Sequence, residues 1–248
     1  MLELAHQAGE IISYIEMCQA WSASFQRGMN YHLRPDRSVI LMSRRTNAPY
    51  RDRIEDDGRV LIYEGHDSPR KHGKADPKSI DQPALTPNGR PTQNGLFHGA
   101  AVKAKKGKSP EIVAVYEKIH AGIWSFNGLF ALTDGWIEFD GKRNVFNFRL
   151  ELLRSEVSVE PGRRMELEHT RLIPSAVKLE VWNRDKGCCV LCGAKDNLHF
   201  DHDLPYSKGG TSLVARNIRL LCARHNLSKS DKIQWLCIAL DVWSNRQN

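Results

Sequence analysis

Short apolar runs separated by turn-forming residues dominate the first 150 positions of this chain, and they predict a mainly β region. The start differs: Leu4, Ile11, Ile15 and Cys18 recur at mixed three- and four-residue spacing, which predicts a helix over residues 2–20. Residues 38–42 (SVILM) and 59–63 (RVLIY) read as strands, divided by a polar stretch holding Pro49 and Gly58. Residues 64–110 are rich in Gly, Pro, Lys and Asp and read as long loops, a length that is usually functional or disordered. Strands return at 112–116, 128–132, 136–139 and 145–150, with Asp140-Gly141 as a hairpin turn. Pro161-Gly162 and Pro174 mark 154–174 as a linker, and a helix is predicted from Ser175, as N-cap, to about Asp185. The expected organisation is α+β: a β domain with an N-terminal helix over 1–153, the linker 154–174, and a small domain over 175–248.

Composition narrows the class. With 41% hydrophobic and 26% charged residues the chain is globular in character, and no apolar run is long enough to span a bilayer. The N-terminus lacks the basic start, apolar core and cleavage site of a signal peptide, so a cytoplasmic protein with no membrane partner is expected. A net charge of +7 suits a polyanionic partner without specifying one. Four of the six cysteines (Cys188, Cys189, Cys192, Cys222) lie within 35 residues, which in a cytosolic chain points to metal rather than disulfides.

Cys189-x-x-Cys192 and Cys222-x-x-His225 form two knuckles whose four soft or borderline donors suit tetrahedral Zn²⁺ as a structural ion. A lone pair of buried thiols is the alternative for either knuckle alone. The two-residue gap to Cys192 selects Cys189 over Cys188. Between the knuckles stand Asp201-His202, then Gly209-Gly210, then Asn217. In this order the pattern resembles the HNH (ββα-metal) endonuclease family over about residues 184–232. Phosphodiester hydrolysis needs a base that titrates near neutrality, which imidazole supplies, and a cation to absorb charge on the phosphate. The resemblance implies His202 as general base, Asp201 as a ligand of a catalytic Mg²⁺ or Mn²⁺, and Asn217 as the residue that orients the histidine and backs the loop. The third motif position falls on Asn226, making an H-N-N variant in which the Asn carbonyl would be a second ligand of that ion. Lys229 falls where the family often has a phosphate-contacting lysine. His199, on the same strand face as Asp201, reads as structural or as a phosphate contact.

The earlier segments carry a second resemblance. Residues 38–42, 50–58, 61–65, Asp81-Gln82, 124–136 and 145–150 stand in the order of the SRA (YDG) domain, a PUA-like β-barrel that flips a modified cytosine out of DNA. The family's Tyr-Asp-Gly is replaced here by Phe126-Asn127-Gly128. Such a reader stacks a base between aromatic faces and offers cytosine N4 an acidic acceptor. The resemblance puts the aromatics at Tyr50 and Tyr63 and the acceptor at Asp52, with Tyr31 as a further wall. One extra residue in 50–58 leaves Arg53 as the alternative occupant of the acceptor position. As plain residues, Tyr50 and Tyr63 read equally as core aromatics. Residues 66–80, with His66, Arg70, Lys71, His72, Lys74 and Lys78, fall where the family inserts a finger into DNA. The Lys103–Lys108 run reads as a solvated loop able to meet phosphate.

Together these resemblances imply a bacterial or archaeal, type IV-like restriction endonuclease. Its partner would be double-stranded DNA carrying 5-methylcytosine or 5-hydroxymethylcytosine. One HNH site cuts one strand, so a homodimer is expected on DNA. Two other readings stay open, a reader whose nuclease is inactive and a nuclease indifferent to modification. The apolar run 233–243 would pack within the chain or on a second subunit.

Overall fold

A computed structural model describes residues 6–44, 48–70, 72, 75–153, 173–204 and 210–229, the side chains of Asp57 and Lys229 excepted. Most of the 154–174 linker, Gly209, Lys71, Lys74 and the 233–243 run lie outside the described residues.

The chain opens with strand β1 (Glu10–Ser13) and helix α1 (Tyr14–Trp21). The expected helix over 2–20 is thus corrected to a strand followed by a helix. Ser13 explains the break: its side chain accepts from the Glu16 N–H while Glu16 reaches back to the Ser13 N–H, closing a capping box. Strands β2 (Met29–Arg34), β3 (Arg37–Met42), β4 (Arg53–Glu55) and β5 (Val60–Glu64) follow.

Within the expected 64–110 loop lies a 13-residue helix, α2 (Gln93–Lys105). Thr92 caps it by accepting from the Gly95 N–H, and it buries Asn94, Phe97, Ala100 and Ala101 at helical spacing. Small residues make its apolar stripe faint in sequence. The lysine run therefore begins as the last turn of α2, where cations complement the helix dipole, and Lys105 pairs with Asp134 at 2.9 Å.

Strands β6 (Glu111–His120), β7 (Ile123–Phe139) and β8 (Asn144–Leu152) complete the first region. Segments 128–132 and 136–139, read as two strands, are one 17-residue strand. Register shifts against β6 at Val115/Tyr116 and against β8 at Leu132/Asp134 bend β7 between partners. The later elements are α3 (Ser175–Arg184), β9 (Leu198–His202), β10 (Ile218–Cys222) and α4 (Ala223–Lys229). Pro174, not Ser175, occupies the α3 cap position and makes no side-chain cap bond.

The ladder runs β10-β9-β1-β7-β6-β3-β2, with β8 bridging β7 to β5 and β5 carrying β4. All pairs are antiparallel except β3–β6. Period-two alternation divides the core. On β6, Val113 and Val115 join α2 in one cluster, while Ala114 and Tyr116 meet α1 in another. A third cluster, around Val177, Val181, Phe200 and Leu220, holds the C-terminal ββα unit together. Among the described residues no helix is long and apolar enough to cross a membrane.

Candidate nuclease centre and base pocket

The two knuckles meet. Cys189 is folded into its turn by its own N–H donating to Ala194 O (2.7 Å) and its carbonyl accepting from Gly193 (2.8 Å). Cys222 ends β10 and His225 lies in the first turn of α4. Cys192 Sγ lies 3.8 Å from Cys222 Sγ, and His225 Nδ1 lies 3.4 Å from both Cys189 and Cys222 Sγ. All four donor atoms fall within 4.8 Å of one another. A tetrahedron built on zinc–sulfur bonds of about 2.3 Å has edges of roughly 3.8 Å, so the donor set fits such an ion. Burial raises the pKa of the Cys189 thiol, but N–H groups of Cys222 and Leu191 and the His225 ring outweigh it and bring it down to about 6. Cys188 is directed elsewhere, onto Lys186 O.

Strand β9 carries Asp201 and His202 beside β10, with Asp201 directly across from Arg219. Both are buried, at 5% and 3% exposure, so the pair lies inside the module rather than on a loop tip. His202 Nε2 is 2.8 Å from the hydroxyl of buried Ser212, a partner that the motif spacing does not reveal. Asn217 staples both ends of the intervening loop. Its amide donates to Leu204 O (3.0 Å) and Thr211 O (2.9 Å), and its oxygen accepts from the Leu204 N–H (2.8 Å). Asn217 thus backs the loop, and its hold on Thr211 fixes the neighbour of Ser212. Arg219 Nε sits 2.7 Å from Asp203. Asn226 is half-buried on α4, the helix that packs on β9 and β10. His199 is buried on the Asp201 face of β9, opposite Glu10 of β1.

In the first region the structure brings Tyr50 and Tyr63 together around His66, with Asp52 on the Glu64 backbone beside Tyr63. The His66 ring stacks on Tyr50 at 4.8 Å and 11°, and its Nε2 lies 2.8 Å from the Tyr63 hydroxyl. Lys78 Nζ stands 4.3 Å from the Tyr50 ring centre. Asn94 grips the His66 backbone on both sides, accepting from its N–H and donating to its carbonyl, each at 2.8 Å. Gly28 allows the ring in: a Cβ there would stand 2.7 Å from His66 Cε1. Burial depresses the His66 pKa to about 4, so its ring is neutral at pH 7.

Asp52 accepts from the Glu64 N–H (3.1 Å), and burial raises its carboxyl to about 7. Arg53 is exposed. Tyr63 is fully buried and belongs to the α2 core cluster as well as to this site. Tyr31 packs against the same core cluster as Tyr63, stacked on His32 (4.2 Å) and edge-on to Phe97 (5.4 Å). The ends of the 66–80 segment are tied down by buried Arg143. It pairs with Asp67 at 2.6 Å and donates to Pro77 O and Ile80 O, leaving Arg70 exposed. Glu64, Asn94 and Arg143 were not singled out by sequence pattern, and His66 was read only as part of the DNA-inserting 66–80 segment. Only Asn94 had a local signal, two residues after the Thr92 cap.

Residues 189–232 match the HNH endonuclease family. No curated protein matches the chain. The structure is similar to a SUVH5 SRA domain solved with fully methylated CG DNA, at a TM-score of 0.43 and 20% identity, covering 61% of this chain and 91% of that one. The same domain solved with fully hydroxymethylated CG DNA gives 0.43 and 20%, covering 62% and 93%. Arabidopsis thaliana SUVH6 in complex with SAM gives 0.37 and 20%, covering 70% of this chain and 28% of that one. The match to the HNH endonuclease family is thus confined to residues 189–232, the segment that holds both knuckles and the Asp201-His202 pair.

Proposed function

We propose that the chain is a modification-dependent, type IV-like restriction endonuclease, reading modified cytosine with residues 1–153 and cutting DNA with residues 175–248. The observation that carries the proposal is a buried Asp201-His202 pair, braced by Ser212 and Asn217, inside a segment matching HNH endonucleases.

His202 takes the proton of the attacking water, and its hydrogen bond to Ser212 holds the ring in place. A divalent ion, Mg²⁺ or Mn²⁺, supplies charge neutralisation at the scissile phosphate and the leaving 3′ oxygen when bound. Asp201 and the Asn226 carbonyl are hard oxygen donors on adjoining elements and would hold it. Cys189, Cys192, Cys222 and His225 would hold Zn²⁺, which keeps β10 and α4 in register and presents Asn226. Lys229 at the end of α4 would meet phosphate.

In the reader, a flipped 5-methylcytosine or 5-hydroxymethylcytosine would stack against Tyr50 and Tyr63 with N4 donating to Asp52. His66 fills that slot in this conformation, so entry of a base displaces its ring. The solved SUVH5 domains carry methylated and hydroxymethylated DNA, in keeping with such a ligand. Cutting both strands would engage two copies.

The test is digestion of matched cytosine, 5-methylcytosine and 5-hydroxymethylcytosine duplexes with Mg²⁺ or Mn²⁺. The expected result is cleavage of modified DNA alone, reduced about 10²–10⁴-fold by His202→Ala with binding retained. Equal inertness of wild type and His202→Ala would sink the enzyme reading. Equal cutting of all three duplexes would sink the reader reading.

A further inference from the structure

Strand β1 uses both of its edges. On one side Ile11, Ile12 and Ser13 pair with Ser125, Trp124 and Ile123 of β7; on the other Glu10 and Ile11 pair with His199 and Leu198 of β9. Just before it, Gly9 donates its N–H to Phe126 O (2.8 Å) and accepts from the Phe200 N–H (3.1 Å). Gly9 has φ +87°, and a Cβ there would stand 3.2 Å from Phe200 O, so the crossing favours glycine. Consecutive side chains of β1 enter different cores: Ile11 joins the ββα cluster with Val181 and Phe200, and Ile12 joins the α1 cluster with Tyr116 and Phe126. A slip of one residue would exchange them, so the register is strongly specified.

A second tie lies beside it. Lys178 of α3 is 2% exposed and its ammonium lies 2.7 Å from Glu117 Oε2 on β6. The same ammonium donates to the Asn127 amide oxygen on β7, and the Asn127 amide donates to Glu117 Oε2 at 3.2 Å. Asn127 is the residue standing where the SRA signature has Asp. Burial pushes the Glu117 carboxyl up, but the Lys178 charge and the hydrogen bonds outweigh it and leave its pKa lowered. In the docked position each charge offsets the other's desolvation, and a shifted α3 that stayed buried would leave both unpaired, so the pair favours one register.

We propose that β1 and the Lys178–Glu117–Asn127 group lock the nuclease unit onto the reader sheet in one position, acting as positioning residues that set a single distance between the recognised base and the cut phosphate. This deepens, and rests on, the proposed function. The ruler is the shared sheet and not the covalent connection through residues 154–172.

The test uses a duplex with one modified cytosine and maps the cuts at nucleotide resolution. Wild type should cut each strand at one narrow position. A Gly/Ser insertion of about six residues after Gly162 should leave that position unchanged. The charge-removing pair Lys178→Met/Glu117→Gln, which avoids leaving a lone buried charge, should scatter the cuts over several nucleotides when combined with the insertion. A cut distance that moves with the insertion alone, a scattered wild-type pattern, or unscattered cuts in the combined variant would each overturn the proposal. Should wild type cut no DNA at all, the proposed function fails, and coupling is then read by calorimetry of the full chain. One cooperative transition, split in two by the combined variant, upholds it; two independent transitions in wild type overturn it.

Discussion

Asp52 shows how much a single burial decides. An exposed aspartate is fully ionised at neutral pH, but desolvation raises this carboxyl to about 7, so a large share is protonated there. A protonated carboxyl loses acceptor capacity, and cytosine N4 needs an acceptor. Affinity for modified-cytosine DNA, measured by anisotropy without divalent metal, should therefore rise as pH climbs from about 6 to 8. That rise should vanish in Asp52→Asn; a flat wild-type profile counts against Asp52 as the N4 acceptor. For stability the sign is reversed, because the raised pKa makes the folded state hold its proton longer than the unfolded chain. The Asp52 contribution is thus present below the unfolded value near 3.8 and lost as pH rises through about 7. His66 offers a second check at this scale. Its ring occupies the Tyr50 face that a base would use, so His66→Ala should tighten binding of modified DNA several-fold. Weaker binding would mean that the ring serves the ligand instead of obstructing it.

Among the elements, the ββα unit depends on its knuckles because β10 and α4 are short and contribute two of the four donors. Treatment with a zinc chelator, or Cys192→Ser, should unfold residues 175–229 while the first region keeps its sheet. Loss of far-UV signal confined to that part, with nuclease activity abolished, is the outcome to look for; unchanged activity in excess chelator of zinc would contradict it. Strands β3, β5, β6 and β8 were legible in sequence because short, nearly continuous apolar runs bounded by turn residues mark strands buried on both faces. Helix α2 was not, since its buried face is built from Asn94, Phe97, Ala100 and Ala101 and gains its stability from the sheet beneath. The N-terminal segment misled for the opposite reason: helical spacing at Ile11 and Ile15 was real, but Ile11 is claimed by strands on both sides.

For the whole molecule, one ladder joins the strands of the first region to the strand bearing Asp201 and His202. On the proposed function, one Asp201-His202 centre per chain predicts that two chains act on each duplex. At low protein a modified plasmid should be nicked first, and the linear product should rise more steeply than the nicked one as protein is added. A ratio of linear to nicked product independent of concentration would argue against pairing of two copies on DNA.

The sequence by itself determined what depends on local spacing. Each knuckle is a local four-residue motif, Asp201 and His202 are adjacent, and strands show as short apolar runs between turn residues, so each could be read without knowing the fold. Tertiary structure alone decided what depends on distant partners. Ser212 reaches His202 only once Asn217 closes the loop, and His66 fills the Tyr50–Tyr63 slot only because Asn94 and Gly28 hold and admit it. Lys178 finds Glu117 across 61 residues, a pairing that no short-range pattern encodes because its energy arises only when both charges leave water together.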